Sequence, residues 1–151
     1  MNLSLEDRAL ISDLVVAYAF AIDERDWKAF EALFTPDAHI DYRSAGGIAG
    51  TPAEVAAWMP QAISLFTWTL HSVLDAPTHG DRCGHRDRVT PHVRAPRSVC
   101  DGASEVMDVS GVYHDRVRPD AGRVAVRRTT EHTLSITGGR FAEMAAARIR
   151  T

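Results

Sequence analysis

LVVAYAFAID, at residues 14–23, decides the fold class, because its apolar positions recur at helical spacing while Tyr18 and Asp23 interrupt them. Leu10, Ile11, Leu14, Val15, Tyr18 and Ile22 form one amphipathic stripe, so residues 5–22 read as a helix. Ser4 followed by Asp7 resembles a capping box with aspartate in place of the usual glutamate. Polar groups among apolar neighbours cost free energy unless paired, which makes them the first place to look for chemistry. Two more interruptions follow. Tyr42 closes the short strand AHIDY at 38–42, and His71 breaks the strand-like run TWTLHSVL at 67–74. A carboxylate, an imidazole and two phenols around one cavity could move a proton without a metal or organic cofactor.

Outward from that helix, Asp26 can cap a second, short helix through Trp27, Phe30 and Leu33 that stops before Pro36. SAGGIAG at 44–50 is a loop. Thr51, Pro52 and Glu54 then supply an N-cap, a proline at the first helical position and a box partner, starting a helix through Val55, Trp58 and Ile63. Residues 67–75 read as a strand, and 105–117 and 123–137 as two long strands joined near RPDAG. The last alternates Val124, Val126, Arg128, Thr130, His132, Leu134 and Ile136 on one face. Helices at the front and strands at the back give an α+β fold, a curved, mostly antiparallel sheet around one helix layer. Such a cone leaves a pocket.

Residues 76–100 stand apart. They hold both cysteines, three of the seven histidines and three of the seven prolines, and no aromatic residue. Those prolines argue against a regular strand hairpin where this fold wants one. Two readings fit: an irregular surface loop, or a stretch read out of frame with the frame restored before Asp101.

The totals describe one domain of 151 residues, 45% hydrophobic and 25% charged, large enough to bury a core. A net charge of -3 gives no electrostatic case for nucleic acid or an anionic membrane. Sixteen arginines against the single Lys28 suggest a GC-rich genome rather than a function. Glu6, Asp7 and Asp13 stand where a secretory leader would be basic and then apolar, and no apolar run approaches the ~18 to 20 residues that span a bilayer. Cys83 and Cys100 form neither a CxxC pair nor a disulfide framework. A cytoplasmic protein is expected. No HxH, HExxH or zinc-finger spacing occurs, so no metal is expected, and without GxGxxG or a Walker loop no nucleotide cofactor either.

YAFAIDERDW, LFTPDAHIDY, the glycine loop, the capped helix and LHSV together resemble the SnoaL-like branch of the nuclear transport factor 2 (NTF2-like) superfamily. The likeness covers residues 5–75 closely and 105–137 more loosely, while 76–100 depart from it. The order Tyr18, Asp23, Tyr42, His71 looks most like the bile-acid dehydratases and, more distantly, scytalone dehydratase. The Asp23–His71 separation also looks like the dyad of hexachlorocyclohexane dehydrochlorinase. The resemblance implies an α+β cone, elimination by general acid–base chemistry without a cofactor, and a homo-oligomer, dimer or trimer. The same cone hosts isomerases, cyclases, hydrolases and proteins with no catalysis, so it does not choose the reaction.

On that resemblance His71 is the general base and Asp23 the carboxylate that orients it. Tyr18 and Tyr42 would stabilise a developing enolate or assist the departing hydroxyl. Five helical residues set Tyr18 and Asp23 about 140° apart, so they share a cavity only if it is broad. His132, on the apolar face of its strand, and Trp58, Phe66 and Met107 are the candidates to line the pocket; His114 remains open, and His39 reads as solvated. Each has a plain structural role open to it, as core or as a satisfied histidine. The expected substrate is a mostly apolar hydroxylated small molecule such as a steroid or polyketide. The alternatives are isomerisation of a ketosteroid, closure of a polyketide ring, or a dimer that binds a small ligand without catalysis.

Overall fold

Ser4 opens the chain's first helix as expected: its hydroxyl accepts from the Asp7 backbone N–H while the Asp7 carboxylate takes the Ser4 N–H, closing the capping box. In the computed structural model the described residues are 4–64, 66–75, 78–79, 88–89, 92–99, 105–120 and 123–137, with side chains described over 4–64, 66–73, 107, 109–118 and 124–130. Helix α1 runs Leu5–Asp23. The chain then reverses through Arg25, at φ 58, and Asp26 caps α2, Trp27–Ala32, through the Ala29 N–H. Helix α3, Pro52–Ala62, starts at the Thr51–Glu54 capping box with Pro52 in its first turn.

The sheet differs from its sequence reading in informative ways. Strand β1 runs Phe34–Asp41, so it starts four residues before AHIDY and carries Pro36. Tyr42 lies just past its end and opens a 3-10 turn, Arg43–Ala45. Strand β2, Ala49–Gly50, folds back antiparallel on β1. The single strand expected at 67–75 is two, β3 (Phe66–Thr69) and β4 (Ser72–Asp75), with Leu70 and His71 between them. Both pair antiparallel with one strand, β7 (His92–Val99), and Thr69↔Arg97 and Ser72↔Arg94 keep one register. That register sets Pro96, which has no N–H, opposite Leu70, so the ladder lapses at the break. Contrary to the expectation from its prolines, 76–100 therefore contains strand: β5 (Thr78–His79), β6 (Arg88–Val89) and all of β7. The remainder of that segment lies outside the described residues.

Strands β8 (Glu105–Asp120) and β9 (Arg123–Thr137) form the long hairpin. Its register slips between Arg116↔Arg128 and Val117↔Val126, leaving Arg127 as an extra residue. The bulge breaks the alternation expected for β9: Val126 is buried, Arg128 exposed and Thr129 buried. The sheet runs β2-β1-β9-β8-β6-β5, with β7 joining β8 to β3 and β4; β1 and β9 are parallel.

The helices pack on this sheet to make two apolar clusters. The larger draws Ile11, Leu14, Val15 and Ile22 from α1 against Phe30, Ile40, Val55, Tyr113 and Val126. Phe30, Ile40 and Val55 are fully sealed, each contributing roughly 1.5–3 kcal/mol by burial. The smaller gathers Ile63, Phe66, Met107 and Val109. The result is the α+β cone that the NTF2-like resemblance implies. Among the described residues no helix is long and apolar enough to cross a membrane.

Candidate functional site

Asp23 is the last residue of α1, and the break after Thr69 brings His71 against it. One carboxylate oxygen meets the imidazole Nδ1 at 2.7 Å, and the other accepts the His71 backbone N–H at 2.8 Å. His71 makes no ladder pair in the break, and its N–H goes to the carboxylate. Burial works to raise the Asp23 carboxyl, but the ring hydrogen bond, the backbone hydrogen bond and the imidazole's charge outweigh it and hold it below its ordinary value. A carboxylate at Nδ1 keeps the proton on that nitrogen, so Nε2 is the nitrogen with a lone pair for a guest.

His71 borders a cavity of about 440 Å³ counting the part open to solvent; the sealed interior is far smaller. Its walls are Ile11, Leu14, Val15 and Ala19 from α1, Val73 from β4, Tyr113, Asp115 and Val117 from β8, and Val126 from β9, with Tyr18 and His71 as further polar groups. Neither lysine nor arginine lies among these lining residues.

The Tyr18 hydroxyl is hydrogen-bonded to that of Tyr42. The Tyr18 ring stands edge-on to His71 at 6.5 Å and to Tyr113 at 5.5 Å, while Tyr42 packs against Tyr113 at 6.3 Å. Tyr18 therefore lines the cavity. Tyr42 is buried behind it and holds its hydroxyl from the rear. Tyr18 lines the cavity and Asp23 does not; His71 stands between them, bonded to Asp23 and edge-on to the Tyr18 ring.

Three expected lining residues are elsewhere. Phe66 and Met107 fill the smaller apolar cluster, and Trp58 packs on the larger one beside the glycine loop. Large apolar side chains at these positions of α3, β3 and β8 serve as core. His132 pairs with Val112 in β9, but its side chain lies outside the described residues. His39 is exposed, as expected. His114 alternates away from the Tyr113, Asp115 and Val117 face.

Tyr113 and Asp115 do not stand out among the candidates in the sequence, yet both line the cavity. The available signal is the alternation Tyr113, Asp115, Val117, an acid between two apolar positions on the opposite parity to His114. Asp115 Oδ1 is buried with no hydrogen-bond partner among the described residues. Burial pushes the carboxyl up to about 7, although the Thr129 hydroxyl bond pulls it the other way. Among the described residues no cluster of His, Cys, Asp and Glu could hold a metal ion.

Comparison with known proteins gives the same architecture. A sequence profile described as a SnoaL-like domain matches residues 3–130. Uncharacterized proteins of Mycobacterium tuberculosis and Mycobacterium bovis are 40% identical over 67 residues, 44% of this chain and 46% of theirs, so the chain spans about half the length of those relatives it matches. A candidate aromatic ring hydroxylase of Novosphingobium aromaticivorans superposes with a TM-score of 0.78 at 23% identity, over 93% of this chain and 99% of its own. A candidate scytalone dehydratase of the same organism gives 0.75 at 18%, over 88% and 87%. Hexachlorocyclohexane dehydrochlorinase LinA-type3 of Novosphingobium barchaimii gives 0.72 at 16%, over 90% and 92%. At these identities the structural likenesses show the fold.

Proposed function

Since the chain belongs to the SnoaL-like domain family, we propose that it is a cofactor-independent acid–base enzyme that eliminates water from a mostly apolar hydroxylated small molecule, of steroid or polyketide type. The observation that supports this most is the doubly held Asp23–His71 pair at the edge of a largely apolar cavity. His71 Nε2 takes the proton from a carbon beside a carbonyl, and Asp23 stabilises the imidazolium that forms. The electron pair left on carbon passes to the carbonyl as an enolate, then returns to form the carbon–carbon double bond as hydroxide departs. The departing oxygen takes its proton back from the imidazolium and leaves as water, while Tyr18, held by Tyr42, donates a hydrogen bond nearby. Isomerisation and ring closure share the first step and remain on the same reading.

A simple β-hydroxycyclohexanone tests this. The purified protein is expected to convert it to cyclohexenone and water, followed by the enone absorbance, and His71→Ala is expected to abolish turnover while the circular dichroism spectrum is unchanged. Turnover retained by His71→Ala overturns the assignment. The same proposal includes a homo-oligomer, supported by the exposure of Val16, Phe20, Trp68 and Leu70. Light scattering of the eluting protein reads its mass directly.

A further inference from the structure

Helix α1 ends in a turn that ordinarily calls for glycine. The Asp26 N–H donates to the Ala21 carbonyl at 2.8 Å and the Arg25 N–H to the Ile22 carbonyl at 3.1 Å, the paired closing bonds of a Schellman turn. The residue at its pivot takes a left-handed backbone, and here that residue is Arg25, at φ 58. Among the described residues it is the one non-glycine position with a positive φ. A Cβ in that conformation crowds the backbone, so it persists only where the surrounding structure holds it. The side chain supplies such a hold. Although Glu24 and Asp26 flank it in sequence, the Arg25 guanidinium donates to the carbonyl of Phe66, the first residue of β3. We propose that Arg25 is a positioning residue of this site, pinning the exit of α1 to the start of β3 so that both oxygens of Asp23 reach His71. This rests on the reading of Asp23–His71 as the working pair.

Two ties join the end of α1 to this part of the sheet, Arg25 to Phe66 and Asp23 to His71. A single tie acts as a hinge, whereas two fix an orientation. With Asp23 alone bridging the elements, the last turn of α1 would swing about the carboxylate and one of its two contacts to His71 would lengthen. Those contacts, at 2.7 and 2.8 Å, weaken as they stretch and bend. Asp23 is the last residue of the helix, so the turn that Arg25 closes also sets the direction in which the carboxylate leaves it. A misdirected imidazole loses rate, because a base must meet its proton at a set distance and angle. Arg25 is not among the residues lining the cavity, so its effect passes through Asp23 rather than through contact with the guest.

Arg25→Gly separates the backbone from the side chain, since glycine adopts the left-handed turn freely and removes the guanidinium. On the β-hydroxycyclohexanone, kcat is expected to fall about tenfold with KM within about twofold, while the melting temperature holds or rises. Arg25→Lys keeps a cationic donor on a flexible stem and is expected to recover part of that loss. Two signals report the pair without any turnover. The His71 Nδ1 proton, held downfield by its bond to the carboxylate, is expected to move upfield in Arg25→Gly. The His71 backbone amide is expected to exchange with solvent about tenfold faster, with the amides of residues 14–22 unchanged. Arg25→Lys should return both toward the unaltered protein. A kcat, proton shift and His71 amide exchange all unchanged in Arg25→Gly overturn the proposal. So does faster exchange spread through residues 14–22, which would make Arg25 a general support of the helix. Should the unaltered protein leave the β-hydroxycyclohexanone intact, the assigned reaction falls, and the proton and amide signals alone decide the part played by Arg25.

Discussion

Asp23 holds His71 at two points, taking its ring Nδ1 at 2.7 Å and its backbone N–H at 2.8 Å with separate oxygens. The pair therefore fixes the tautomer, the ring's direction and the local backbone together. Asp23→Asn keeps the shape but offers one acceptor and one donor. Its amide would turn the oxygen to one contact and set an N–H against the other. A fall of about 10³- to 10⁴-fold in kcat is expected on the β-hydroxycyclohexanone, in line with amide replacement of a triad carboxylate. A variant within tenfold of the unaltered protein would show that the carboxylate does not orient the imidazole.

The two acids of the site impose opposite pH dependences on stability. Asp23 is lowered in the fold, so its contribution is present above the ordinary aspartate value and fades as pH falls through the folded one. Asp115 is raised to about 7, so the fold is favoured most below the ordinary value of 3.8, and that advantage is gone once pH passes about 7. Asp115→Asn has no such titration. It is expected to match the unaltered protein near about pH 4 and to be more stable near about pH 8, by at most on the order of 4 kcal/mol and less where water reaches the carboxyl. Urea unfolding at the two pH values measures this, and equal differences at both would refute the burial of the charge.

Much of this architecture is legible in the residues themselves. Ser4, Asp26 and Thr51 mark their helix starts, because capping depends on local side chain–backbone geometry. The α+β order follows from periodicity, and the Asp23–His71 meeting from the family likeness. What escaped depends on long-range pairing. The break at His71 needs Pro96 across the ladder, and the bulge at Arg127 needs the β8–β9 register. Asp115 escaped for a related reason. In a strand exposed to neither pure core nor pure solvent, the sequence does not say which parity faces the hollow, and His114 drew attention to the wrong one.

Tyr42 touches no cavity surface, so its part in the site runs through the hydroxyl of Tyr18. Tyr42→Phe is expected to cost about 1 kcal/mol of stability by removing the hydrogen bond between the two phenols. Turnover should fall several-fold with the KM nearly unchanged, since the loss is in positioning. Tyr18→Phe should be more damaging, and the double variant no worse than Tyr18→Phe alone. Additive losses would mean the two phenols act separately.

Gly47 joins the glycine loop to this same support. A Cβ there would stand 2.9 Å from the Trp58 ring, 2.9 Å from the Tyr42 Cβ and 3.0 Å from the Tyr42 carbonyl oxygen. The carbonyl cannot retreat, because it already accepts the Gly47 N–H at 3.0 Å. Gly47→Ala is therefore expected to destabilise by about 1–3 kcal/mol through overpacking. The displaced Tyr42 would also loosen Tyr18, so turnover should fall along with the melting temperature. Shortening the ring with Trp58→Leu relieves only one of the three contacts. It should restore part of the stability of Gly47→Ala and little of its turnover, because the clash with Tyr42 remains. Full recovery of both by Trp58→Leu would place the constraint on the tryptophan and sever the loop from the site.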